Sequence, residues 1–376
     1  MSSTSHAASV AGSASEPHRS FGVRLDPGRA AADANNMEFL HDLYETAQGC
    51  RADITALLEL ARKLGHRLPF PQHGNVVQLW QALATLGAAD LTAARIIEPH
   101  LDALAILDQA DQNELWPEDS TWGVFAAHGP GEQLTATPQG GGWRLNGPKP
   151  WCSLAEDLSH ALVSAWTEDG MQLFAIDLHH PGVSTSGRPW TALGLPEVPS
   201  RGLVLIDVPA VVVGGPGWYI QRPGFAWGGV GIAAIWHGAS TSLARRFHRH
   251  CLSREPDQIA LWHLGSVDQA LWSSRTAIQA AAAAADSATE GTPSAEAPAL
   301  MAARVRATVV AASESVLSLT SHGMGPEPLA FEPEHAQRVA DLQLYLRQDH
   351  AERSLAVHGK AVLDAASAVG VGIAPW

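Results

Sequence analysis

The spacing of apolar residues changes twice along the chain. Between residues 36 and 112, apolar positions recur every three or four residues, as in NMEFLHDLYETA and ADITALLELARKLG, and this predicts helices. Between 120 and 212 the period shortens to two, which predicts strands. Helical spacing returns from about 225 to 375. The pattern therefore predicts an α–β–α order.

The middle segment contains short strand-like runs without an intervening helical run. They are TWGVFAAH, QLTATPQ, GGWRLNG, HALVSAW, MQLFAIDL and RGLVLIDVPA. Turn sequences such as GPGE, NGPKP and EDG separate them. Short strands at such close spacing predict an antiparallel barrel or sandwich.

Helices are predicted in the last segment at 226–250, 257–286, 299–321 and 334–366. The stretch TEGTPSAEAP (289–298) interrupts them and predicts an exposed loop.

These changes of pattern divide the chain into four parts. Residues 1–30 are mostly small and polar, so we expect a disordered tail rather than a signal peptide. An N-terminal helical domain is predicted at 31–118, a β domain at 119–214 and a C-terminal four-helix domain at 215–376. No run reaches the roughly 20 apolar residues that span a bilayer, and no membrane association is predicted.

Charge and cysteine content exclude several classes of protein. Lys and Arg number 24 against 38 Asp and Glu, a net charge of -14, which argues against a nucleic-acid partner. Only 16% of residues are charged, which suggests subunit interfaces that exclude charge. Cys50, Cys152 and Cys251 lie far apart, so neither a disulfide framework nor a zinc knuckle is predicted, and a cytoplasmic location is expected.

Common catalytic motifs are absent. The sequence contains no GxxxxGK[ST] loop, no HExxH and no GxSxG elbow. Gly228, Gly229 and Gly231 follow no strand, and we interpret them as positions of close helix packing. The histidines lack ligand spacing, and His248 and His250 in RRFHRH are expected on a solvated helix face. No metal site is predicted.

Two of the strand-like segments carry a more specific signal. Residues 142–153 read GWRLNGPKPWCS, and residues 205–209 read LIDVP. The first is similar to G-Y-x-L-N-G-x-K-x-W-I-T, and the second to F-D-D-V-x-V-P, both of them strands of the acyl-CoA dehydrogenase family. The α–β–α order is also the family's order, so the chain resembles this family from about residue 30 onward.

The resemblance implies a fold class, a cofactor and an assembly. The fold is mainly α, with an N-terminal α domain, a central antiparallel β-barrel domain and a C-terminal helical bundle. The family binds FAD between the barrel and the C-terminal helices, and it forms homodimers or homotetramers.

The resemblance places Trp151, Cys152 and Ser153 along the flavin ring. In the family a Thr hydroxyl at the last of these positions bonds flavin N5, and Ser153 keeps that hydroxyl. In the alternative interpretation, Trp151 is an ordinary strand aromatic that fills one end of the barrel.

Three further FAD-binding positions are implied farther from the ring. Gly131 lies in the turn before the second strand, and Gly323 lies in LTSHGMG, which corresponds to a turn that meets the neighbouring subunit's FAD. Arg246 is a candidate for the family's Arg at the end of the first C-terminal helix, with Arg249 and Arg254 as alternatives.

The polar groups of this site depart from the family pattern. Ala126 replaces a residue whose hydroxyl meets the flavin ring. Glu132 replaces a hydroxyl that meets the pyrophosphate, and its charge would repel that group unless it turns away.

A carboxylate is also expected at the reacting end. In many family members a Glu follows a helix that reads R-D-A, and it removes the proton alpha to the thioester carbonyl. An ungapped alignment from Asp341 puts Asp349 at that position, with His350 next to it as an assisting group. Alternatively, Asp341, Tyr345 and Asp349 share one face of an uninterrupted helix, and Asp349 is a solvated charge near Arg353.

Three functions remain open from the sequence. The first is FAD-dependent α,β-dehydrogenation of an acyl thioester or another small molecule, with an electron-transfer flavoprotein as partner. The second is a flavin-dependent monooxygenase that takes reduced flavin from a partner reductase and needs no Glu base. The third is a non-catalytic scaffold that has lost flavin binding, and the altered Ala126 and Glu132 favour it.

Overall fold

The computed structural model describes residues 21–25, 34–289 and 297–368. Four helices form its first part: α1 (Ala34–Cys50), α2 (Ile54–Gly65), α3 (Val76–Ala89) and α4 (Leu91–Gln109). The helices begin where the sequence supplies a cap, because the first N–H groups of a helix lack partners. Asp53 caps α2 by accepting from the Ala56 N–H at 3.1 Å, and Asp90 caps α4 by accepting from the Thr92 N–H at 2.7 Å.

Seven strands form the middle part. They are β1 (Trp122–Phe125), β2 (Thr135–Gln139), β3 (Gly142–Ser153), β4 (His160–Thr167), β5 (Gly170–Asp177), β6 (Val183–Ser186) and β7 (Ser200–Val213). The order β4–β2–β3–β7–β5 returns to β4, so the sheet closes into a small barrel. The prediction of a wholly antiparallel barrel is wrong in one respect, since β1 and β2 both pair with β4 in parallel.

The third part is helical. Its elements are α5 (Trp218–Gln221), α6 (Pro223–Leu252), α7 (Gln258–Thr289), α8 (Pro298–Met324), α9 (Glu327–Phe331), α10 (Pro333–Tyr345) and α11 (Glu352–Ala368). The single helix predicted at 334–366 is divided, because a short 3-10 turn at 346–348 separates α10 from α11. The loop predicted at 289–298 lies mostly outside the described residues.

Residues 21–25 are packed, although the sequence places them in a disordered tail. Val23 and Leu25 are buried, and their N–H groups donate to the Thr85 hydroxyl at 3.0 Å and to the Gln81 amide oxygen at 3.1 Å. The other residues of the predicted tail lie outside the described ranges.

Glycines bring α3 and α4 close to α6. A Cβ at Gly231 would lie 3.1 Å from the Leu83 side chain, and one at Gly228 would lie 3.3 Å from a carboxylate oxygen of Asp102. The interpretation of GGVG as a helix-packing sequence is therefore confirmed. Among the residues that the structure describes, no helix combines the length and apolarity that a membrane crossing needs.

Candidate functional site

Trp151 lies on a bulge of β3. The register of β3 against β7 shifts between Lys149 and Cys152, and Trp151 within that interval has a φ of +61°. Its side chain is nevertheless 61% exposed. A bulky residue in this backbone region is strained by roughly 1 kcal/mol or more, and such strain concentrates at ligand sites. The bulge thus presents a flat apolar ring at the edge of the barrel.

Ser153 lies two residues farther along and faces the N-terminal helices. Its hydroxyl is 2.7 Å from the Ser200 hydroxyl and accepts from Nη2 of Arg95, on α4, at 3.2 Å. The Arg95 guanidinium lies 5.4 Å from the centre of the Tyr345 ring. The strand therefore places a hydroxyl beside a cation where the barrel meets α4 and α10.

Cys152 points the other way, into the barrel. Its thiol lies 3.4 Å from the Lys149 carbonyl oxygen, and burial raises the pKa of the thiol to about 12. The Lys149 ammonium is itself buried and donates to the Ser164 carbonyl and hydroxyl oxygens at 2.7 Å each. Only the backbone of Cys152 can therefore contact a ligand outside the barrel.

Charged groups gather beyond Ser153 in what we call the buried ion cluster: Arg95, Glu98, Arg306, Tyr345 and Asp349. Nη1 of Arg95 is 3.8 Å from Oε2 of Glu98, and Nη2 of Arg306 is 3.8 Å from Oδ1 of Asp349. Burial raises the pKa of Glu98, and repulsion from Asp102 raises it further. Burial likewise raises the pKa of Tyr345, so the phenol is neutral and can donate its proton.

Asp349 is not the solvated charge of the alternative interpretation. The helix ends at Tyr345, and the Asp349 side chain is 8% exposed. Its Oδ2 accepts from the Ala351 N–H at 2.8 Å, which fixes the turn into α11. His350 is exposed, and its N–H donates to the Ser354 hydroxyl at 3.2 Å. The predicted pair therefore divides, with Asp349 facing inward and His350 at the surface.

The three FAD positions predicted farther from the ring have different surroundings. Gly131 is exposed with a φ of +97°. The Arg246 guanidinium pairs with both carboxylate oxygens of Glu332, and its Nε donates at 2.8 Å. A Cβ at Gly323 would lie 2.5 Å from the Phe247 ring, so this glycine allows α8 to pack on α6. Arg246 and Gly323 are thus engaged within the chain.

A cavity of about 30 Å³ adjoins the buried ion cluster between α3, α4 and α6. Its lining residues are mostly apolar, and they include two tryptophans and two acidic residues. The residues that line the cavity include Trp80, Leu83, Glu98, Leu101, Asp102 and Trp227. Asp102 is paired with Nη2 of Arg222 at 3.4 Å.

The contribution of α4 to the site was not predicted from the sequence. Arg95, Glu98 and Asp102 lie on one face of this helix at spacings of three and four, and that face meets the site. A signal was present, because α4 consists mostly of Leu, Ile and Ala, which indicates a buried helix, and charged residues are rarely buried without a partner. The motifs of the family lie in the barrel strands and the C-terminal helices, so they do not point to α4.

Comparison with protein families matches residues 128–208 to the middle domain of acyl-CoA dehydrogenases. This range includes Gly131 and the segment from Trp151 to Ser153. The resemblance predicted from the sequence is therefore confirmed. A comparison with curated proteins found no match.

Several solved structures share the fold over most of the chain. Butyryl-CoA dehydrogenase from Megasphaera elsdenii is 16% identical, with a TM-score of 0.74, 88% of this chain and 97% of that chain covered. KijD3 in complex with FMN and an amino-keto sugar nucleotide is 17% identical, with a TM-score of 0.74 and coverages of 94% and 97%. TdsC from Paenibacillus sp. A11-2, with FMN and indole, is 16% identical, with a TM-score of 0.73 and coverages of 88% and 98%. At these identities the likeness shows a common fold.

Proposed function

We propose that this chain, whose fold and central domain are those of the acyl-CoA dehydrogenase family, is a flavin-dependent oxidoreductase. The observation that carries the proposal is the strained, exposed Trp151 two residues before Ser153, whose hydroxyl meets Arg95. A bound flavin would supply the redox chemistry, as hydride acceptor or in the activation of dioxygen.

The residues at the barrel edge fit the ring of a flavin. The Trp151 indole offers an apolar face, and the Ser153 hydroxyl and Arg95 guanidinium offer hydrogen-bond donors. The Tyr345 hydroxyl is buried and has no hydrogen-bond partner among the described residues. A buried donor without a partner costs about 1–3 kcal/mol, and a bound polar ligand would remove that cost.

The other end of the site favours FMN over FAD. The charge of Arg246 is neutralised by Glu332, and the Phe247 ring occupies the space beside Gly323. Glu132 puts a negative charge near the expected pyrophosphate position. The structures of KijD3 and TdsC are described with FMN. We therefore expect FMN to bind at least as tightly as FAD, because the adenylate half finds no free cation at Arg246.

Two reactions are compatible with such a site, and they differ in whether they need Asp349 as a base. Dehydrogenation of an acyl thioester requires a base, and Asp349 is the carboxylate at the position implied by the family. Both of its oxygens are already engaged, Oδ1 with Arg306 and Oδ2 with the Ala351 N–H, so a substrate proton competes with these contacts. Oxygenation with flavin reduced by a partner reductase needs no carboxylate there, and this engagement of Asp349 favours it as a second candidate.

Flavin-loaded protein can be tested for both reactions. Anaerobic addition of butyryl-CoA bleaches the flavin absorbance if the chain is a dehydrogenase, and Asp349→Asn then slows bleaching by about a hundredfold or more. The matched control is Asp364→Asn, at an exposed carboxylate on α11 paired with Lys360, which should leave the rate of bleaching unchanged.

Oxygen-dependent product formation with NADH and a flavin reductase, unaffected by Asp349→Asn, supports the monooxygenase. If the protein takes up no flavin, the chain is a non-catalytic scaffold and the proposed oxidoreductase function fails.

Assembly and location belong to the same proposal. The exposed face of α7 carries Ile259, Trp262 and Trp272, which supports a homodimer or homotetramer. Cys50, Cys152 and Cys251 are free thiols, which supports a reducing, cytoplasmic location.

A further inference from the structure

We infer that the cavity between α3, α4 and α6 binds a hydroxyl group carried on an apolar substrate, with the Trp80 indole N–H as donor to it and the Glu98 carboxyl as acceptor from it. The inference deepens the proposed function, because the hydroxyl would belong to the substrate of the flavin site.

Trp80 provides the first observation. It is fully buried on α3, and its Nε1 has no hydrogen-bond partner within the described part of the chain. Trp80 lines the cavity, and a Cβ at Gly231, another lining residue, would lie 3.6 Å from this nitrogen. Buried indole N–H groups usually find a partner, so the cavity is where an acceptor is missing.

Glu98 provides the second, independent observation. Glu98 also lines the cavity, and its carboxyl accepts no hydrogen bond among the described residues, with the Arg95 guanidinium at 3.8 Å. Asp102 shares the wall, but its charge is already matched by Arg222. A buried carboxyl with unused lone pairs requires a donor from the ligand.

A hydroxyl is the group that satisfies both sides at once. It accepts from the Trp80 N–H and donates to Glu98, whereas a methyl group would leave both without partners. A carboxylate would face Glu98 and Asp102 and be repelled. An ammonium cannot accept from Trp80.

Size and polarity of the cavity support the same choice. About 30 Å³ admits a group of the size of a water molecule. The apolar residues around it, which include Leu83, Leu101 and Trp227, shield the hydroxyl from water, and the body of the substrate extends out of the cavity. Arg95 connects Glu98 to Ser153, so a hydroxyl held here lies one side chain away from the proposed flavin edge.

The test compares p-cresol with p-xylene, which differ by a hydroxyl in place of a methyl. Binding to the flavin-free protein is measured by titration calorimetry or ligand-observed NMR. We expect p-cresol to bind at least about tenfold more tightly, the equivalent of one satisfied hydrogen bond. Trp80→Phe and Glu98→Met should each reduce this ratio to about threefold or less, while Glu98→Gln, which keeps an acceptor, should preserve most of it.

Trp236→Phe is the matched control. Trp236 is also fully buried with an unpartnered Nε1, but it does not line the cavity, so its replacement should leave the ratio unchanged. Circular dichroism confirms that each variant is folded. Equal affinity for the two compounds, no binding of either, or a ratio that survives Trp80→Phe and Glu98→Met overturns the inference. Because the assay contains no flavin, a hydroxyl preference in a chain that fails to bind flavin would contradict only the proposed function.

Discussion

Asp341 joins the barrel to α10 through one carboxylate oxygen. Its Oδ1 accepts from the Leu195 N–H and from the Gln337 amide, both at 2.6 Å, and the side chain is buried. Burial raises the pKa of Asp341 from 3.8 to about 6, although both hydrogen bonds act in the opposite direction. At pH values between 3.8 and about 6, Asp341 is protonated in the folded chain and ionised in the unfolded chain. The free energy of unfolding contributed by Asp341 therefore falls as the pH rises through this window.

Replacement of Asp341 by Asn should remove this dependence. Asn keeps Oδ1 as acceptor for both donors and has no charge to bury. We expect the wild type to lose about 3 kcal/mol relative to the variant between pH about 4 and about 6, with little further change above. Urea unfolding of both proteins across this range measures the difference. If the free energy of unfolding has the same pH dependence in both proteins, Asp341 does not titrate as described.

Single residues show where the sequence alone is informative. The motif around Trp151 and Ser153 could be recognised because neighbouring strand residues share a local pattern. The buried state of Asp349 could not, because it depends on the end of α10 and on Arg306 from another helix. Glu98 was missed for the same reason, since its partners come together only through tertiary packing.

The contact of α3 with α6 depends on glycines at which the two backbones meet. A Cβ at Gly238 would overlap the Ala84 carbonyl oxygen, and one at Gly87 would overlap the Ile235 carbonyl oxygen. Both obstacles are backbone atoms, which cannot rotate away. The contact orients Trp80 and the α6 glycines around the cavity.

Gly238→Ala should therefore destabilise the protein by about 3 kcal/mol, because it forces α3 and α6 apart. The control is Gly265→Ala, on the exposed side of α7 with no atom near its Cβ, where helix propensity predicts a gain of up to about 1 kcal/mol. Chemical denaturation of the three proteins gives both values. A Gly238→Ala protein as stable as the wild type would refute this account of the interface.

The sequence predicts an element well where its pattern is local. It predicts less well the pairing between strands that are distant in sequence. The helical nature of the N-terminal segment and six of the strands follow from periodicity. The short polar strand β6 (VSTS) has no such signal, and parallel pairing of β1 and β2 with β4 cannot be read from either strand. The break after α10 is set by the turn around Asp349 and by Ala351, whose φ is +47°.

The whole molecule carries a net charge of -14, yet several large apolar side chains lie exposed on α7. Ile259, Trp262 and Trp272 are each more than half exposed on this helix. The low overall content of charged residues agrees with a surface that is covered in an assembly.

Trp262→Glu should weaken self-association by at least about tenfold, because a charge at the centre of an apolar interface must be desolvated. Analytical ultracentrifugation over a range of concentrations measures the change. Lys360→Gln, at an exposed site on α11, lowers the net charge by one, as Trp262→Glu does, and is the control for charge. A wild-type chain that is monomeric at high concentration would contradict the proposed interface.

The proposed function depends on a flavin that lies along the edge formed by Trp151 and Ser153. It is tested by the dissociation constant of FMN, from absorbance titration of wild-type protein, Trp151→Ala and Phe331→Ala. Phe331 is 78% exposed, at least as exposed as Trp151, but it ends α9, outside both the barrel and the exposed surface of α7. We predict about one FMN per wild-type chain, binding about tenfold weaker in Trp151→Ala, and unchanged binding in Phe331→Ala. No uptake by the wild type, or equal affinity in Trp151→Ala, would contradict the account.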